Sequence, residues 1–308
     1  MSARRRGRFT RERLTRATVP FALVLPAIVV IAAVLAYPLY YLVRLSFQHY
    51  GLFQLIAHKG EWVGLDNYSA ILHDPLFWHV LLRTVIFTIV NVALTLGLGT
   101  LIALLLVRLG SFMRVVLTSA LVLVWAMPVV VAVQVWLWLI DPQNGVLNYT
   151  LTKLGIGDFI GYDWFANTLV GFGVITALIV WMGIPFITIT VYAGLSQLPG
   201  ELVEAASIDG AGPWQVFRDI TFPVLKPIFV ILTSLSIIWD FQVFTQPFLL
   251  RFSRPDPDYY LISIYAYERS FGISEYGLGS AIAVVIVVIM IVLSVFYIRQ
   301  MVRVGEVS

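Results

Sequence analysis

The sequence predicts an all-α, polytopic membrane protein with six transmembrane helices. Of the 308 residues, 60% are hydrophobic and only 12% are charged, whereas a soluble domain carries about 25% charged residues. The charges are also clustered, so that short charged segments separate long uncharged runs, as a lipid bilayer demands. These observations argue against a water-soluble enzyme, and the absence of cysteine removes disulfide and thiol chemistry.

The spans follow from the gaps between charged residues, because about 20 helical residues cross a hydrocarbon core about 30 Å thick. Six runs are long enough, with 27, 24, 26, 37, 24 and 23 residues, and only Asp240 in the fifth run interrupts them. The runs lie between Arg16 and Arg44, Arg83 and Arg108, Arg114 and Asp141, Asp163 and Glu201, Lys226 and Arg251, and Glu275 and Arg299. The fourth run exceeds one perpendicular span, so we expect its helix at about residues 167–193.

The predicted organisation has four parts. They are an Arg-rich cytoplasmic tail (1–18), a first transmembrane helix with an external loop (19–82), a core of five transmembrane helices (83–300) and a cytoplasmic tail (301–308). In the first helix, Pro20, Pro26 and Pro38 predict kinks or a frayed start. Thirteen Lys and Arg residues fall on the predicted cytosolic segments and seven on the opposite face, which places both termini in the cytoplasm.

Three external loops are expected, at about residues 44–80, 141–166 and 251–276. Their aromatic side chains suit either an interfacial belt or a docking surface for a partner protein. These aromatic residues are Trp62, Tyr68, Phe77, Trp78, Tyr162, Trp164, Tyr259, Tyr260, Tyr265 and Tyr267. The four histidines also fall in the first loop, where no two have the i, i+4 spacing of a helical metal site, which favours solvated residues over metal ligands.

The cytosolic connection over residues 194–226 has the most informative pattern. Pro199 can open a short helix, the turn at 209–212 breaks it, Pro213 can open a second helix, and Pro223 is expected to end that second helix. The first of these helices combines an apolar, small-residue side with acidic residues that keep it soluble. Such a helix is suited to docking into a partner.

Within this connection, Glu204-Ala205-Ala206 is followed by three residues, then Gly210, nine residues, and Ile220-Thr221-Phe222-Pro223. The spacing resembles the EAA signature of ABC importer permeases, in which EAA, three residues, Gly and nine residues precede I-x-L-P. Phe222 in place of leucine is the one departure. The stretch from about Arg83 to Arg299 further resembles the carbohydrate branch of these permeases, the maltose and glycerol-phosphate type.

The resemblance implies a type I ABC importer permease fold in a bacterial inner membrane, with lipid around it. It implies three kinds of protein partner: a second homologous permease, two ATPase subunits and an extracytoplasmic solute-binding protein. The ATPase-coupling loop would use Glu204 as charged anchor and Gly210 as turn, with Ala205, Ala206, Asp209 and Pro223. No G-x-x-x-x-G-K-[ST] motif occurs, so we expect no cofactor on this chain, with ATP and Mg on the partner ATPase. No nucleic acid partner is expected.

The substrate path is expected around Asp240, the only charged residue interior to a predicted span, because buried ionisable groups usually face a cavity or a partner. Sugars need hydrogen-bonding groups and aromatic faces, and the resemblance places the sugar on the fourth and fifth spans. The candidates are Trp181, Gly183, Phe186, Ser236, Trp239, Asp240 and Gln242. Ser236, Trp239, Asp240 and Val243 fall at steps of three and four, so they are expected on one helical face. Alternatively, Asp240 bonds to the second permease.

These patterns favour the permease subunit of an ATP-driven importer for a sugar, with an oligosaccharide as the expected substrate. The alternative is an autonomous secondary transporter or channel for a small polar solute, although such carriers commonly contain internal repeats and several buried ionisable groups. A membrane enzyme would need a catalytic set that no span contains. Asn91 and Gln134 are weaker candidates for lining the cavity, and for both we favour a role in contacts between helices. The 251–257 loop is expected to be stiff and charged where the family usually has T-G-G-G-P.

Overall fold

The computed structural model describes residues 3–254 and 256–305, and these residues are almost entirely helical. The helices are α1 (Ala3–Ser46), α2 (Leu52–Ala57), α3 (Asp66–His73), α4 (Pro75–Arg108), α5 (Ser111–Trp125), α6 (Val129–Leu139), α7 (Val146–Lys153), α8 (Thr168–Leu195), α9 (Gly200–Ile208), α10 (Pro213–Val216), α11 (Phe222–Phe241), α12 (Thr245–Leu250), α13 (Ile262–Tyr267) and α14 (Tyr276–Gly305). Two short strands, β1 (Gln48–His49) and β2 (Glu61–Trp62), pair antiparallel. The prediction of an all-α membrane protein is confirmed.

Five helical stretches are long and apolar enough to cross a membrane. They are Leu23–Ser46, Pro75–Arg108, Thr168–Leu195, Pro213–Phe241 and Tyr276–Gln300. A sixth span results if α5 and α6, which meet at an angle of 101°, count together. The helix expected at about residues 167–193 is confirmed as α8, and its N-terminus is capped by the Asn167 side chain, which accepts hydrogen bonds from two backbone N–H groups.

The predicted third span is not one continuous helix. Helix α5 ends at Trp125, and Pro128 precedes the first residue of α6. Proline has no backbone N–H to donate and disfavours helical geometry at the residue before it, here Met127. The apolar run from Arg114 to Asp141 therefore turns sharply in its middle.

The first helix also differs from the expectation, because α1 begins at Ala3 and its helical backbone continues through Pro20, Pro26 and Pro38. A lipid environment offers backbone groups no partner outside the helix, so prolines are tolerated within transmembrane helices. At the other end, α14 extends to Gly305, and the remaining three residues of the predicted 301–308 tail lie outside the described residues.

Two predictions about the region after the turn at residues 209–212 are wrong. Pro223 does not end a helix, because a π-helical turn at Phe217–Thr221 joins α10 directly to α11 and Pro223 lies just after that turn, as the second residue of α11. Helix α11 ends at Phe241, so Val243 lies beyond it and does not share a helical face with Ser236. The backbone is thus helical without a break from Pro213 to Phe241.

The chain divides into two compact units, and the first comprises Asp74–Tyr267 and Ile286–Ser308. Its centre is the packing of α4 on α8, where small residues let the backbones approach closely. A Cβ atom added at Gly99 would lie 2.7 Å from Ile187, and one added at Gly183 would lie 2.8 Å from Thr95. The Thr188 hydroxyl donates a hydrogen bond to the Gly99 carbonyl oxygen across this contact, at 3.1 Å.

The second unit comprises Met1–His73 and Glu268–Val285. The β1–β2 hairpin is fixed by Asn67, whose amide donates to the carbonyl oxygens of Ser46 and Gln48, both at 2.9 Å. The Phe47 ring stacks on Trp62 and also contacts Tyr68. These contacts order the chain that follows α1.

Several aromatic residues assigned to an interfacial belt or docking surface lie in the protein interior. Phe77, Tyr259 and Tyr265 are buried, whereas Trp62 and Trp78 are exposed. The Arg251 guanidinium lies 4.3 Å from the Tyr259 ring centroid and pairs with Asp256 at 2.8 Å. Burial raises the pKa of the Tyr259 hydroxyl, which stays protonated and donates to the Phe165 carbonyl oxygen. The 251–257 loop thus has the expected charge and local anchoring, although Pro255 lies outside the described residues.

Candidate functional site

The predicted coupling loop forms the short helix α9, which ends in a Schellman motif. Gly210 has a φ of +83°, a left-handed conformation that glycine adopts without steric cost. The N–H of Ala211 donates to Ala206 at 2.9 Å, and the N–H of Gly210 donates to Ser207 at 3.2 Å. The predicted break at residues 209–212 is therefore present, and Gly210 is placed at the turn.

The apolar side of α9 faces away from the rest of the described chain. Leu202 is 47% exposed and Ile208 is 86% exposed, and Glu204 and Ala205 are also exposed. Beside the turn, a cleft of about 270 Å³ is lined by Asp209, Gly210, Ala211, Gln215, Val216, Asp219 and Ile220. A protruding helix with exposed apolar residues and an acidic side chain has the features expected of a docking surface.

A row of aromatic rings connects this loop to the following span. Trp214 stacks on Phe217 at 5.7 Å between ring centroids, Phe217 lies 6.3 Å from Phe222, and Phe222 lies 5.3 Å from Phe229. Phe217 begins the π-helical turn and Phe222 directly follows it, and such turns are frequent at functional sites. The loop is thus connected to α11 through both the backbone and these side-chain contacts.

Asp240 lies in the last turn of α11, one turn after Ser236. Asp240 is only 9% exposed, and Ser236 is also buried. Among the residues that the structure describes, none donates a hydrogen bond to the Asp240 carboxylate. The Asp240 carboxylate oxygens are not fully enclosed by the described residues, so they can accept hydrogen bonds from water, a ligand or another chain.

Two of the predicted substrate residues are brought into contact, and a third ring that sequence reasoning missed extends their surface. The Phe186 and Trp239 rings lie 5.3 Å apart, and Trp125 is nearly parallel to Phe186 at 6.5 Å. Trp125 and Trp239 are 58% and 50% exposed. Pro128 is the sequence feature that could have identified Trp125 as a site residue, because the helix break at this proline places the Trp125 ring at the end of α5.

The remaining candidates are distributed differently. The Trp181 ring centroid lies 6.1 Å from that of Trp136, and Trp181 packs against the buried hydrophobic cluster of the first unit. Gly183 lies against Thr95 of α4, so its lack of a side chain serves the helix contact. Gln242 is exposed and caps α11. The structure therefore groups Phe186 with Trp239, and Ser236 with Asp240, and places Trp181 and Gly183 at helix contacts.

The weaker polar candidates have local partners or solvent. Asn91 is buried and its amide nitrogen donates to the Phe87 carbonyl oxygen of its own helix, at 2.8 Å, although its Oδ1 has no partner among the described residues. Gln134 is exposed. His73 bonds to the Ser69 carbonyl oxygen. No group of three or more His, Cys, Asp or Glu side chains in the described part of the chain has the arrangement of a metal site.

Comparison with protein families identifies the class of protein. The model for "Binding-protein-dependent transport system inner membrane component" matches residues 95–304. The chain therefore belongs to this family of inner-membrane components, the permease subunits of ABC transporters, and the recognition from the EAA signature is confirmed. These proteins are translocation subunits, with ATP hydrolysis on separate chains.

Individual relatives give the same class. The chain is 43% identical to the diacetylchitobiose uptake system permease protein DasB of Streptomyces coelicolor, over 94% of this chain and 88% of the relative. It is 32% identical to the sulfoquinovosyl glycerol transport system permease protein SmoG of Agrobacterium fabrum, over 90% and 88%. A crystal structure of a bacterial ABC transporter that imports the acidic polysaccharide alginate has the same fold, with a TM-score of 0.79 at 20% identity, over 95% and 98% of the two chains.

Proposed function

We propose that this chain forms one half of the translocation pathway of an ATP-driven importer for an oligosaccharide. The observation that carries the proposal is the exposed EAA helix α9 within a chain that matches the permease family over residues 95–304. Relatives named for diacetylchitobiose and for trehalose and maltose support a sugar as substrate. The aromatic rings and buried polar groups on α8 and α11 supply the stacking surfaces and hydrogen-bonding groups that sugar binding needs.

The proposed partners are a second permease, two ATPase subunits and an extracytoplasmic solute-binding protein. Helix α9 would insert into the ATPase, with its exposed apolar residues buried there and Glu204 paired with a basic residue. ATP and Mg would be held by that ATPase. The orientation that follows has the loop, and both termini, on the cytoplasmic side.

For the substrate, the Asp240 carboxylate would accept hydrogen bonds from sugar hydroxyl groups, and the Ser236 hydroxyl would add a donor and an acceptor. The Trp239 and Phe186 rings would stack on the apolar face of a pyranose. Gln242 at the end of α11 would offer an amide at the entrance. When closure of the ATPase subunits moves α9, the span that bears Asp240 would move with it and expose the sugar to the other side.

Copurification tests this proposal directly. The tagged protein is solubilised gently from its native membrane, and the copurifying chains are identified for the wild type and for Glu204→Arg. We expect a second permease and an ATPase with the wild type, and loss of the ATPase but not the permease on charge reversal, because a like charge would then face the basic partner.

Glu201→Arg, one turn earlier on the same helix, is the matched control and should retain more of the ATPase. Equal loss with both variants would mean that the overall negative charge of the helix, and not Glu204 in particular, holds the ATPase. Recovery of the protein alone, with uptake that persists without ATP and collapses with a protonophore, would replace the importer with a secondary carrier.

A further inference from the structure

A groove of about 590 Å³ lies between α11 and α14, with α4 at its base. It is lined by Leu96, Phe222, Lys226, Phe229, Val230, Thr233, Ser234, Ile237, Ile238, Leu293, Phe296, Tyr297 and Gln300. The groove is separate from the proposed sugar path, since neither Asp240 nor Trp239 lines it. Its walls are mostly apolar, and no acidic residue is found among these lining side chains.

The one charged residue of the groove lies at one end, whereas the polar residues Thr233 and Ser234 lie near its middle. This charged residue, Lys226, directly precedes the apolar run of α11 and is exposed, and Gln300 lies near the end of α14. From Lys226 to Ile238 the helix rises about 18 Å, which is close to the thickness of one leaflet, about 15 Å. The groove therefore has the length of a single lipid leaflet, with its cation at the interface.

Tyr297 supplies a second, independent observation. Its hydroxyl oxygen is buried and has no hydrogen-bond partner within the described residues. A buried hydroxyl without a partner is unfavourable, because it has lost its hydrogen bonds to water. Tyr297 lines the groove one turn before Gln300, and rotation of its side chain toward the groove would let the hydroxyl donate to an occupant that carries oxygen acceptors.

We propose that the groove binds an anionic phospholipid, with one acyl chain along α11 and the headgroup phosphate at Lys226. The Tyr297 hydroxyl and the Gln300 amide would donate to the phosphate or glycerol-ester oxygens. Basic pockets between transmembrane helices on the cytoplasmic side are typical sites for anionic headgroups. The assignment to the cytoplasmic leaflet depends on the proposed orientation, whereas the site itself does not.

Lipid bound in this groove would affect function, because two of the aromatic residues that line the groove belong to the row of rings that leads to the coupling loop. Phe222 and Phe229 contact each other at 5.3 Å, and Phe222 lies beside Phe217 of the π-helical turn. A lipid against these rings would brace α11 where the loop joins it. Coupled transport is therefore expected to depend on anionic lipid.

The first test measures lipid bound to the assembled complex. Complexes reconstituted in nanodiscs of phosphatidylglycerol and phosphatidylcholine are analysed by native mass spectrometry for wild type, Lys226→Gln and Tyr297→Phe. We expect preferential retention of phosphatidylglycerol by the wild type, and about a fivefold weaker preference in Lys226→Gln, as removal of one interfacial cation implies. Tyr297→Phe should weaken retention without changing subunit composition.

Arg299→Gln is the matched control, because Arg299 is an exposed cation on α14 that does not line the groove. Its preference for phosphatidylglycerol should remain that of the wild type. Equal losses in Arg299→Gln and Lys226→Gln would show general surface attraction and overturn the proposal, as would equal retention of the two lipids by the wild type.

The second test identifies the occupant. A photo-crosslinking amino acid at Thr233, inside the groove, is activated in the assembled complex, and the adducts are analysed by mass spectrometry. Adducts with phospholipid acyl chains support the site. An adduct with the second permease would mean that a helix of that subunit fills the groove, and the lipid proposal would fall while the importer assignment stands.

Discussion

Asp240 combines burial with a lack of hydrogen-bond donors among the described residues, although it lies in a membrane-spanning helix. Such a group is retained where water, a ligand or another chain can supply hydrogen bonds. The exposed Trp239 and Trp125 rings on either side of Phe186 show how one site can offer both polar and stacking surfaces. At this scale the side chains proposed to recognise the sugar are concentrated near the end of α11.

We predict that Asp240→Ala abolishes sugar uptake while the complex keeps all its subunits. Charged hydrogen bonds contribute about 1.5–3 kcal/mol each, so a loss of at least about tenfold is expected from a single bond. Radiolabelled uptake in cells and subunit composition after purification are the two measurements. Asp158→Ala, in the exposed 154–167 loop, is the control for removal of an acid. Normal uptake, or loss of the second permease, would contradict the substrate role.

A residue-scale prediction also concerns the coupling turn. Gly210→Ala places a Cβ at a φ of +83°, which costs about 1–2 kcal/mol. If the docked loop needs this turn, ATPase recovered with the complex should fall about 5- to 30-fold. Gly212→Ala is the control, since Gly212 has a φ of −71° and the nearest atom to its added Cβ is 3.8 Å away. Equal effects of both variants would show that any added side chain disturbs docking.

At the scale of elements, the contact of α4 with α8 holds the core together through small residues and a single hydroxyl bond. Close approach at Gly99 brings the Thr188 hydroxyl within reach of the Gly99 carbonyl oxygen. In lipid, helices associate through such packing rather than through the hydrophobic effect. The contact therefore depends on the volume of individual side chains.

Two glycines on α4 provide the test of this packing. Gly99→Leu should destabilise the protein by about 1–3 kcal/mol, because the new side chain meets Ile187. Gly97→Leu should change stability by less than about 0.5 kcal/mol, since nothing lies within 4 Å of its added Cβ. Thermal unfolding in detergent measures both. A similar decrease for the two variants would indicate that helical propensity, not the α4–α8 contact, is responsible.

The sequence was sufficient for the helical class, for the bounds of α8 and for the turn at Gly210, because charge spacing and glycine stereochemistry are local properties. The sequence was not sufficient to predict which prolines would interrupt a helix. Pro128 interrupts a helical run, yet Pro185 and Pro227 lie inside continuous helices and Pro223 lies just after a π-helical turn. Whether a proline bends or breaks a helix depends on neighbouring helices and lipid, which a local pattern does not contain.

The candidate site shows the same limit. Charge alone identified Asp240, and the EAA spacing identified the α9 turn. The prediction that Val243 shares a helical face with Ser236 is wrong because α11 ends at Phe241. Trp125 was missed because its position depends on the break between α5 and α6. Side chains that meet across elements, such as Phe186 and Trp239, require the tertiary structure to be recognised as neighbours.

At the scale of the whole molecule, α1 and α14 have few partners within the chain. None of the Leu23–Ser46 window and 11% of the Tyr276–Gln300 window is buried. In a membrane protein, apolar helix surface of this kind is covered by lipid or by another subunit.

The lack of cysteine makes the orientation directly testable, since any introduced thiol is unique. We predict that a membrane-impermeant maleimide labels Asp158→Cys from the outer face of the intact inner membrane. Glu201→Cys on the coupling helix should react only after the membrane is permeabilised. The reverse pattern would place the EAA loop outside and remove its contact with ATP-driven subunits.

The unbroken helix from Pro213 to Phe241 has a mechanical consequence. Its 29 residues form a rod about 43 Å long, and Asp240 lies about 40 Å along it from the end next to the coupling loop. If the rod tilts by about 5° around that end, the carboxylate moves by about 3.5 Å. This distance is longer than a hydrogen bond. If Asp240 binds the sugar as proposed, a rotation of about 5° at the end next to the coupling loop would be enough to break that contact, because the displacement grows with distance along the helix.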